Sequence, residues 1–197
     1  MEQEAKHIAL AIQSTNAVAF GLSLAEHLVK RGALVSLLLS QSCVNAAYEE
    51  LGLKIDVSSL EAAHDILCDA LELNKVQAKS LELYFDDEPY SISSKTLKSI
   101  DTLVLCPAEV FALEHLIVPS DQKSYARVGH YMQLEQKAIH CYLADTRYAL
   151  ASLEVMLRAQ KHGIYLHSLV GDYHFKEGHL QNFIEENTAV IANELLS

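Results

Sequence analysis

The chain has 197 residues, which fits one domain, and half of them are apolar, so a sizeable core can form. Glycine and proline are scarce, at 7 and 3 residues, which disfavours disorder and turn-rich all-β folds. The net charge of −11 and the pI near 5.3 disfavour nucleic acid and anionic membrane surfaces as partners, because phosphate binding needs lysine and arginine. No apolar run has the length of a membrane span, and the acidic start lacks the positive charge of a signal peptide, so we expect a cytoplasmic protein.

The first forty residues predict a strand, a polar turn, a helix and a second strand. An apolar run from Ile8 to Ile12 predicts a buried strand, and another is predicted over 33–40. The intervening helix has apolar or small residues at helical spacing, namely Ala17, Phe20, Gly21, Leu24 and Leu28. A strand, short turn and helix in this order present backbone N–H groups and a helix N-terminus to a phosphate. The polar turn at 13–16 therefore predicts an anion site, although it lacks the usual glycines.

The rest of the chain alternates between predicted helices and strands. Strands are predicted over 80–85 (a strand or extended edge), 102–106, 138–143 and 164–169, and Pro107 is predicted to end the strand over 102–106. Helices are predicted over 45–52, 57–73, 93–100, 108–116, 121–137, 147–161 and at the C-terminus. The strands are apolar on both faces, which is typical of a mostly parallel sheet covered by helices on each side. The sequence thus predicts an α/β fold in a single domain, 1–197.

The four cysteines and the ten histidines do not form a metal-binding pattern. Cys43, Cys68, Cys106 and Cys141 are widely scattered, and no pair has metal-ligand spacing. Since Cys106 and Cys141 end apolar runs, we expect buried free thiols there. The histidines near the C-terminus, which are His162, His167, His174 and His179, have no accompanying carboxylate pattern. We therefore expect no metal site.

Three segments in the second half of the chain carry a family resemblance. They read TLVLCPAEVFALEHLIV, SYARVGHYMQLEQKAIHCYLADTR and YALASLEVMLRAQKHGIYL. In their order and spacing, from Pro107 to Gly163, they resemble the UbiX-like flavin prenyltransferases, a branch of the flavoprotein family. The first strand and helix fit as well, while 52–100 matches only loosely. The resemblance implies a Rossmann-like three-layer sandwich and a homo-oligomer, from trimer to dodecamer. It also implies a bound FMN that receives a dimethylallyl group from dimethylallyl phosphate without a metal.

The resemblance also implies cofactor-binding residues, most of which differ from the family pattern. The phosphate turn of the family, Ser-Gly-Ala-Ser-Gly, falls on residues 13–17, where both glycines are replaced. A serine that contacts the flavin is retained as Ser40. The Pro-Cys-Ser motif becomes Pro107-Ala108-Glu109, which places a carboxylate where a hydroxyl faces the flavin. The implied cofactor-binding residues are Gln13, Ser14, Thr15, Asn16, Ser40, Ala108 and Glu109.

The catalytic residues that the resemblance implies are Asp145, Arg127 and Tyr173. Asp145 retains the acidic residue of the Arg-Glu-Thr-Pro motif, but Asp-Thr before an apolar helix is more typical of an N-cap than of a catalytic acid. Arg127 matches a family arginine and also fits an ordinary solvated charge, and the aromatic residue that closes the site falls on Tyr173 or its neighbour His174. Two cations of the family's phosphate site are replaced by Leu134 and Val190.

Two interpretations of function follow. The first is an FMN-binding flavoprotein with altered or weak prenyltransferase-type chemistry. Prenyl transfer needs positive charge beside the leaving phosphate, and Leu134 and Val190 replace two cations there. The second is a non-catalytic homologue that has lost the flavin and acts as an oligomeric scaffold or interaction protein. A flavin-dependent cysteine decarboxylase fits less well, since Pro119-Ser120-Asp121-Gln122 stands where those enzymes carry a Pro-x-Ala-Asn-Thr-like motif.

Overall fold

The fold is described from a computed structural model, which describes residues 4–12, 18–39, 60–85, 99–108, 138–143, 164–168 and 179–197. Its strands are β1 (His7–Ile12), β2 (Leu34–Leu39), β3 (Leu81–Phe85), β4 (Thr102–Ala108), β5 (Ala138–Leu143) and β6 (Ile164–Ser168). Its described helices are α1 (Val18–Lys30), α2 (Leu60–Ala70), α3 (Lys75–Ala78) and α4 (His179–Leu196). The predicted helices over 45–52, 121–137 and 147–161, and most of the one over 93–100, lie outside the described residues.

The six strands form one sheet in the order β3-β2-β1-β4-β5-β6. Every neighbouring pair in this sheet is parallel. The order reverses at the centre, where β1 pairs with β2 on one side and with β4 on the other. This is the strand order of a Rossmann-like α/β fold, so the predicted fold class is confirmed. The predicted bounds of β5 are also those of the structure, and the strand predicted over 80–85 is the edge strand β3.

Both faces of the central strands are buried, which is why their sequences are apolar without alternation. On β1, Ile8, Leu10 and Ile12 point to one face, and Ala9 and Ala11 point to the other. All five side chains are at most 3 % exposed. The centre of the sheet is therefore an internal layer of the protein.

One face of the sheet packs against α1, α2 and α4 through a continuous apolar cluster. The helices contribute residues such as Phe20 and Leu24 from α1, Leu67 from α2 and Leu195 from α4. Polar contacts join α1 and the residue after it to α4: the hydroxyls of Ser23 and Thr188 are 2.9 Å apart, and Nε of Arg31, which follows α1, donates to Asn193 Oδ1 at 2.9 Å. The C-terminal helix is thereby fixed to the first helix of the chain.

The contact between His27 on α1 and Arg31, the first residue after that helix, predicts a loss of stability in acid. Arg31 donates to His27 Nδ1 at 3.0 Å, so that nitrogen must be unprotonated. Burial, and next the Arg31 guanidinium, lower the pKa of the His27 imidazole below its ordinary value of 6.5. The unfolded chain therefore binds this proton more readily than the folded protein. The contribution of His27 to the free energy of unfolding is fully present above pH 6.5, and it is lost as the pH drops through the lowered pKa of the folded protein. In urea unfolding at pH 5 to 8, wild-type protein should lose more stability toward pH 5 than His27→Gln; parallel profiles would contradict this.

The short helix α3 was not predicted from the sequence. The Asn74 side chain accepts hydrogen bonds from the backbone N–H groups of Val76 and Gln77, and the Gln77 side chain accepts one from the backbone of Asn74. This reciprocal arrangement is a capping box, and the spacing of Asn74 and Gln77 was its signal in the sequence. It fixes the chain direction just before β3.

The end of β4 corrects two expectations. The strand continues through Pro107 to Ala108, so Pro107 does not end it and the predicted helix does not begin at Ala108. The pairing of β4 with β5 shifts between Leu105 and Ala108, where one extra residue is accommodated. The pairing with β1 stops at Cys106, so the missing N–H of Pro107 costs no hydrogen bond to β1. Residues 109–116 of that predicted helix lie outside the described part of the chain.

Candidate functional site

The strands end together at one edge of the sheet, which we call the carboxyl edge. In one row of the register lie the last residues of three strands and Cys106 of β4, in the order Phe85, Leu39, Ile12 and Cys106. In a second row lie the last residues of β4, β5 and β6, which are Ala108, Leu143 and Ser168. Ligands of open parallel sheets bind beyond this edge, where the strand order reverses. In this sheet the reversal lies between β1 and β4.

The residues predicted for the cofactor site follow these strand ends directly in the sequence. Gln13 comes next after β1, Ser40 after β2 and Glu109 after β4, while Asp145 is two residues past β5. Ala108 is the last residue of β4, so its backbone is part of the carboxyl edge. The other predicted site residues, which are Gln13, Ser14, Thr15, Asn16, Ser40, Glu109, Arg127, Asp145 and Tyr173, lie outside the described residues. The topology thus supports a common location, and the roles of these side chains stay predictions.

A close approach of α1 to β1 occurs beside this edge, at Gly21. A Cβ atom built on Gly21 would lie 2.4 Å from Ile12 Cδ1 and 2.7 Å from Ile12 Cγ1. Because Ile12 is only 2 % exposed, its side chain has little room to move away. A glycine that lets the first helix pack tightly on the first strand is a feature of nucleotide-binding α/β units.

The first turn of α1 is compatible with an anionic ligand. The helix begins at Val18, five residues separate it from the end of β1 at Ile12, and its first turn contains no acidic side chain. The first N–H groups of a helix have no partner within the helix, and its N-terminus favours negative charge. A phosphate approaching this turn would meet no carboxylate from α1 itself.

The described thiols are not suited to nucleophilic chemistry. Cys68 and Cys106 are free and buried, as expected for Cys106 from the sequence. Burial raises the pKa of the Cys68 thiol to about 11, and burial raises the pKa of Cys106 well above its usual range. Both groups are therefore thiols at neutral pH, whereas the thiolate is the nucleophile and the metal ligand.

The described residues lack two further features. They contain no group of three or more His, Cys, Asp or Glu side chains that would hold a metal ion. Within the same ranges, none of the helices is long and apolar enough to cross a membrane.

A polar cluster that was not predicted from the sequence lies at the opposite edge of the sheet, the amino edge. It consists of His7 on β1, Ser36 on β2, Glu82 on β3 and Ser99 just before β4, and we call it the amino-edge cluster. The one signal in the sequence was a polar residue inside an apolar run, Ser36 within LVSLLL. The partners come from four separate segments, so only the topology brings them together.

Comparisons with known proteins find likeness in structure alone. No protein-family model matches the sequence, and no curated protein matches it. Phenylacrylic acid decarboxylase from Aquifex aeolicus superposes with a TM-score of 0.61 at 14% identity, over 97% of this chain and 96% of that one. AnUbiX (PadA1), in complex with FMN and dimethylallyl pyrophosphate, gives a TM-score of 0.58 at 14% identity, over 96% and 92%. A dodecameric FMN-dependent UbiX-like decarboxylase from Escherichia coli O157:H7 gives a TM-score of 0.58 at 10% identity, over 96% and 93%.

These superpositions cover nearly the whole chain, so they define its class of fold. The chain has the fold of the UbiX-like flavoproteins, as its sequence resemblance predicted. The likeness concerns the arrangement of strands and helices, because the sequence identity is 14% or less in all three cases.

Proposed function

We propose that this protein binds FMN at the carboxyl edge, between β1 and β4, and has altered or weak prenyltransferase-type chemistry. The observation that carries the proposal is the reversal of strand order beside the tight packing of Gly21 on Ile12, within a UbiX-like fold. AnUbiX, which shares this fold, was crystallised with FMN. The carboxyl edge is also where the residues predicted to hold FMN follow the strands in the sequence.

In this proposal the turn after β1 holds the phosphate of FMN. Ser14 and Thr15 would donate hydroxyl hydrogen bonds, Gln13 and Asn16 would donate from their amides, and the start of α1 would add its N–H groups. Ser40 would contact the flavin from the end of β2. Ala108 and Glu109 would lie beside it at the end of β4, and the negative charge of Glu109 would disfavour a second, phosphorylated ligand.

The chemistry of such a site depends on positive charge near the leaving phosphate. Bound FMN would supply a ring that can accept a dimethylallyl group. Arg127 would then attract the phosphate of dimethylallyl phosphate, Asp145 would hold or move a proton, and Tyr173 would close the site. Val190, on α4, is 53 % exposed and carries no charge where the family has an arginine. With Leu134 replacing a lysine as well, the stabilisation of the leaving group is reduced, so we expect weak transfer.

The second candidate function is a non-catalytic oligomeric scaffold that has lost the flavin. The exposed, uncharged Val190 favours it, as do the two glycines missing from the turn after β1, since Cβ atoms restrict a close approach to phosphate. In either case we propose a single-domain cytoplasmic homo-oligomer, between a trimer and a dodecamer. Light scattering on the purified protein would measure the assembly directly.

Flavin binding distinguishes the two functions. We expect purified protein to show flavin absorbance, or to take up one equivalent of FMN per chain when titrated, and to release FMN on denaturation. Thr15→Asp places a carboxylate in the phosphate turn, so its affinity for FMN should fall by about tenfold or more, in line with about 1.4 kcal/mol per tenfold change. Val76→Asp is the matched control, because Val76 is 76 % exposed on α3, and its affinity should be unchanged.

Each outcome of the titration has a definite meaning. If no FMN binds even at high excess, the flavoprotein proposal is wrong and the scaffold interpretation replaces it. If FMN binds, the protein is incubated with reduced FMN and dimethylallyl phosphate. Little or no prenylated flavin is expected, and product at the rate of an active prenyltransferase measured alongside would refute the altered chemistry.

A further inference from the structure

A hydrogen-bonded chain of side chains runs through the amino-edge cluster. Ser99 Oγ lies 3.0 Å from His7 Nδ1, and His7 Nε2 lies 2.7 Å from Ser36 Oγ. Ser36 Oγ in turn lies 3.4 Å from Glu82 Oε2. Tyr84 donates its hydroxyl hydrogen bond to the same carboxylate oxygen at 2.7 Å. The chain thus joins a serine, a histidine, a second serine and a carboxylate.

The Glu82 carboxylate fixes the direction of every hydrogen bond in this series of side chains. An ionised carboxylate only accepts, so Ser36 must donate its hydroxyl proton to Glu82. Because the Ser36 proton is directed to Glu82, Ser36 Oγ accepts its other hydrogen bond from His7 Nε2–H. A neutral imidazole carries its proton on only one nitrogen. His7 Nδ1 is left as an acceptor, and Ser99 donates to it. A serine hydroxyl that donates to an imidazole nitrogen, with the other nitrogen oriented by a third group, is the arrangement of an activated nucleophile.

Burial is greatest in the middle of this hydrogen-bonded series. Ser99 and Glu82, at its two ends, are exposed, whereas His7 is 8 % exposed and Ser36 is fully buried. Ser99 is therefore a residue that solvent reaches, while the base behind it is largely shielded. A shielded base keeps its orientation without competition from water at its second nitrogen.

The backbone holds Ser99 and His7 in place. The N–H of His7 donates to Asp101 Oδ2 at 2.8 Å, and the N–H of Asp101 donates to the His7 carbonyl at 2.8 Å. Asp101 is two residues from Ser99, so this pair of bonds anchors the segment that carries the serine to β1. A fixed distance between nucleophile and base is what efficient proton transfer requires.

We propose that Ser99 is a nucleophile that accepts the acyl group of small activated esters, with His7 as its general base. Ser99 Oγ bonds to the ester carbonyl carbon as its proton passes to His7 Nδ1, and the ester C–O bond breaks as that proton passes to the leaving alcohol. Water then attacks the acyl-serine with the same base, releases the acid and restores Ser99. Ser36 and Glu82 are positioning residues that keep Nδ1 unprotonated. This site is at the opposite edge of the sheet from the proposed FMN site and is independent of it.

The test uses an alkyl fluorophosphonate on the full-length protein, followed by intact mass and peptide mapping. In this reaction Ser99 Oγ bonds to phosphorus, the P–F bond breaks, fluoride leaves and His7 takes the proton. We expect one label per chain, on Ser99, at a rate that rises with pH as one imidazole loses its proton. The exposed Ser197, whose hydroxyl donates to the Glu194 carbonyl, is the internal control and should remain unlabelled.

Variants separate an activated serine from a merely structural one. His7→Gln should slow the labelling of Ser99 by about a hundredfold or more, which is the usual contribution of a general base. Ser36→Ala should slow it less, about tenfold, and should shift the pH profile, whereas Ser36→Thr should restore the rate. Circular dichroism checks that each variant is folded, and if His7→Gln is not, the Ser36 pair decides. An unlabelled Ser99, or a rate that is the same in the folded variants, would overturn the proposal.

Discussion

Replacing Phe20 with alanine is expected to lower the free energy of unfolding by about 3–5 kcal/mol, the range for a buried phenylalanine. Phe20 is fully buried on α1 and belongs to the apolar cluster that joins three helices to the sheet. The substitution removes the buried ring and leaves a cavity among residues fixed by regular structure. The surroundings are then unable to collapse fully, so both the lost burial and the cavity contribute.

Urea unfolding followed by circular dichroism measures this loss. Phe20→Leu keeps an apolar side chain in the same place and should cost clearly less than Phe20→Ala. Val76→Ala is the surface control, since Val76 is 76 % exposed, and it should change stability by no more than about 0.5 kcal/mol. If the free energy of unfolding of Phe20→Ala were within about 1 kcal/mol of the wild-type value, which is the average cost of a point mutation, α1 would not support the core as described.

Gly21→Val is expected to cost about 3 kcal/mol, the upper part of the usual range for overpacking a core. The reason is steric: the first added atom would already lie 2.4 Å from Ile12 Cδ1. Either α1 must move away from β1 or Ile12 must leave its place in the core. Both changes would displace the start of α1 relative to the carboxyl edge, so we expect FMN affinity to fall along with stability.

A size swap across the same contact tests this explanation. Ile12→Ala removes three carbons where Gly21→Val adds three, so the double variant should be more stable than the sum of the single changes by about 1 kcal/mol or more. Gly32→Ala is the matched glycine control. Its added Cβ meets nothing within 4 Å, and its cost comes from the backbone, whose φ is +89°. Gly32→Ala should therefore be additive with Ile12→Ala, and strict additivity at Gly21 as well would exclude the steric explanation.

The sequence was sufficient to predict the strands because their burial on both faces leaves apolar runs. The bounds of β5 were predicted to the residue, and β1 and β2 to within two residues. The predicted end of β4 was wrong because the cost of a proline in a strand depends on whether the neighbouring strand would accept its missing N–H. Pro107 is tolerated since β1 has already ended beside it, which becomes visible only with the register. The helix α3 was missed because four residues are too few for a periodic pattern.

The candidate sites were predictable to different degrees. The carboxyl edge follows from the alternation of strands and helices, so the residues after β1, β2 and β4 were expected to meet there. Their chemistry was less predictable, since the resemblance is weakest at those positions. The amino-edge cluster was not predictable: His7 and Ser99 are 92 positions apart, and the contact between them depends on the pairing of β1 with β4.

The place of β1 at the centre of the sheet has a consequence for the order in which the chain folds. β1, α1 and β2 form a local unit that is complete soon after residue 39. The other side of β1 pairs only after β4 has been synthesised. This pairing brings together His7 and Asp101, which are 94 positions apart. Such distant pairing slows folding. On a ribosome the growing chain would present one unpaired edge of this fully buried strand until residue 108 has emerged, which is the interval when it is most open to aggregation.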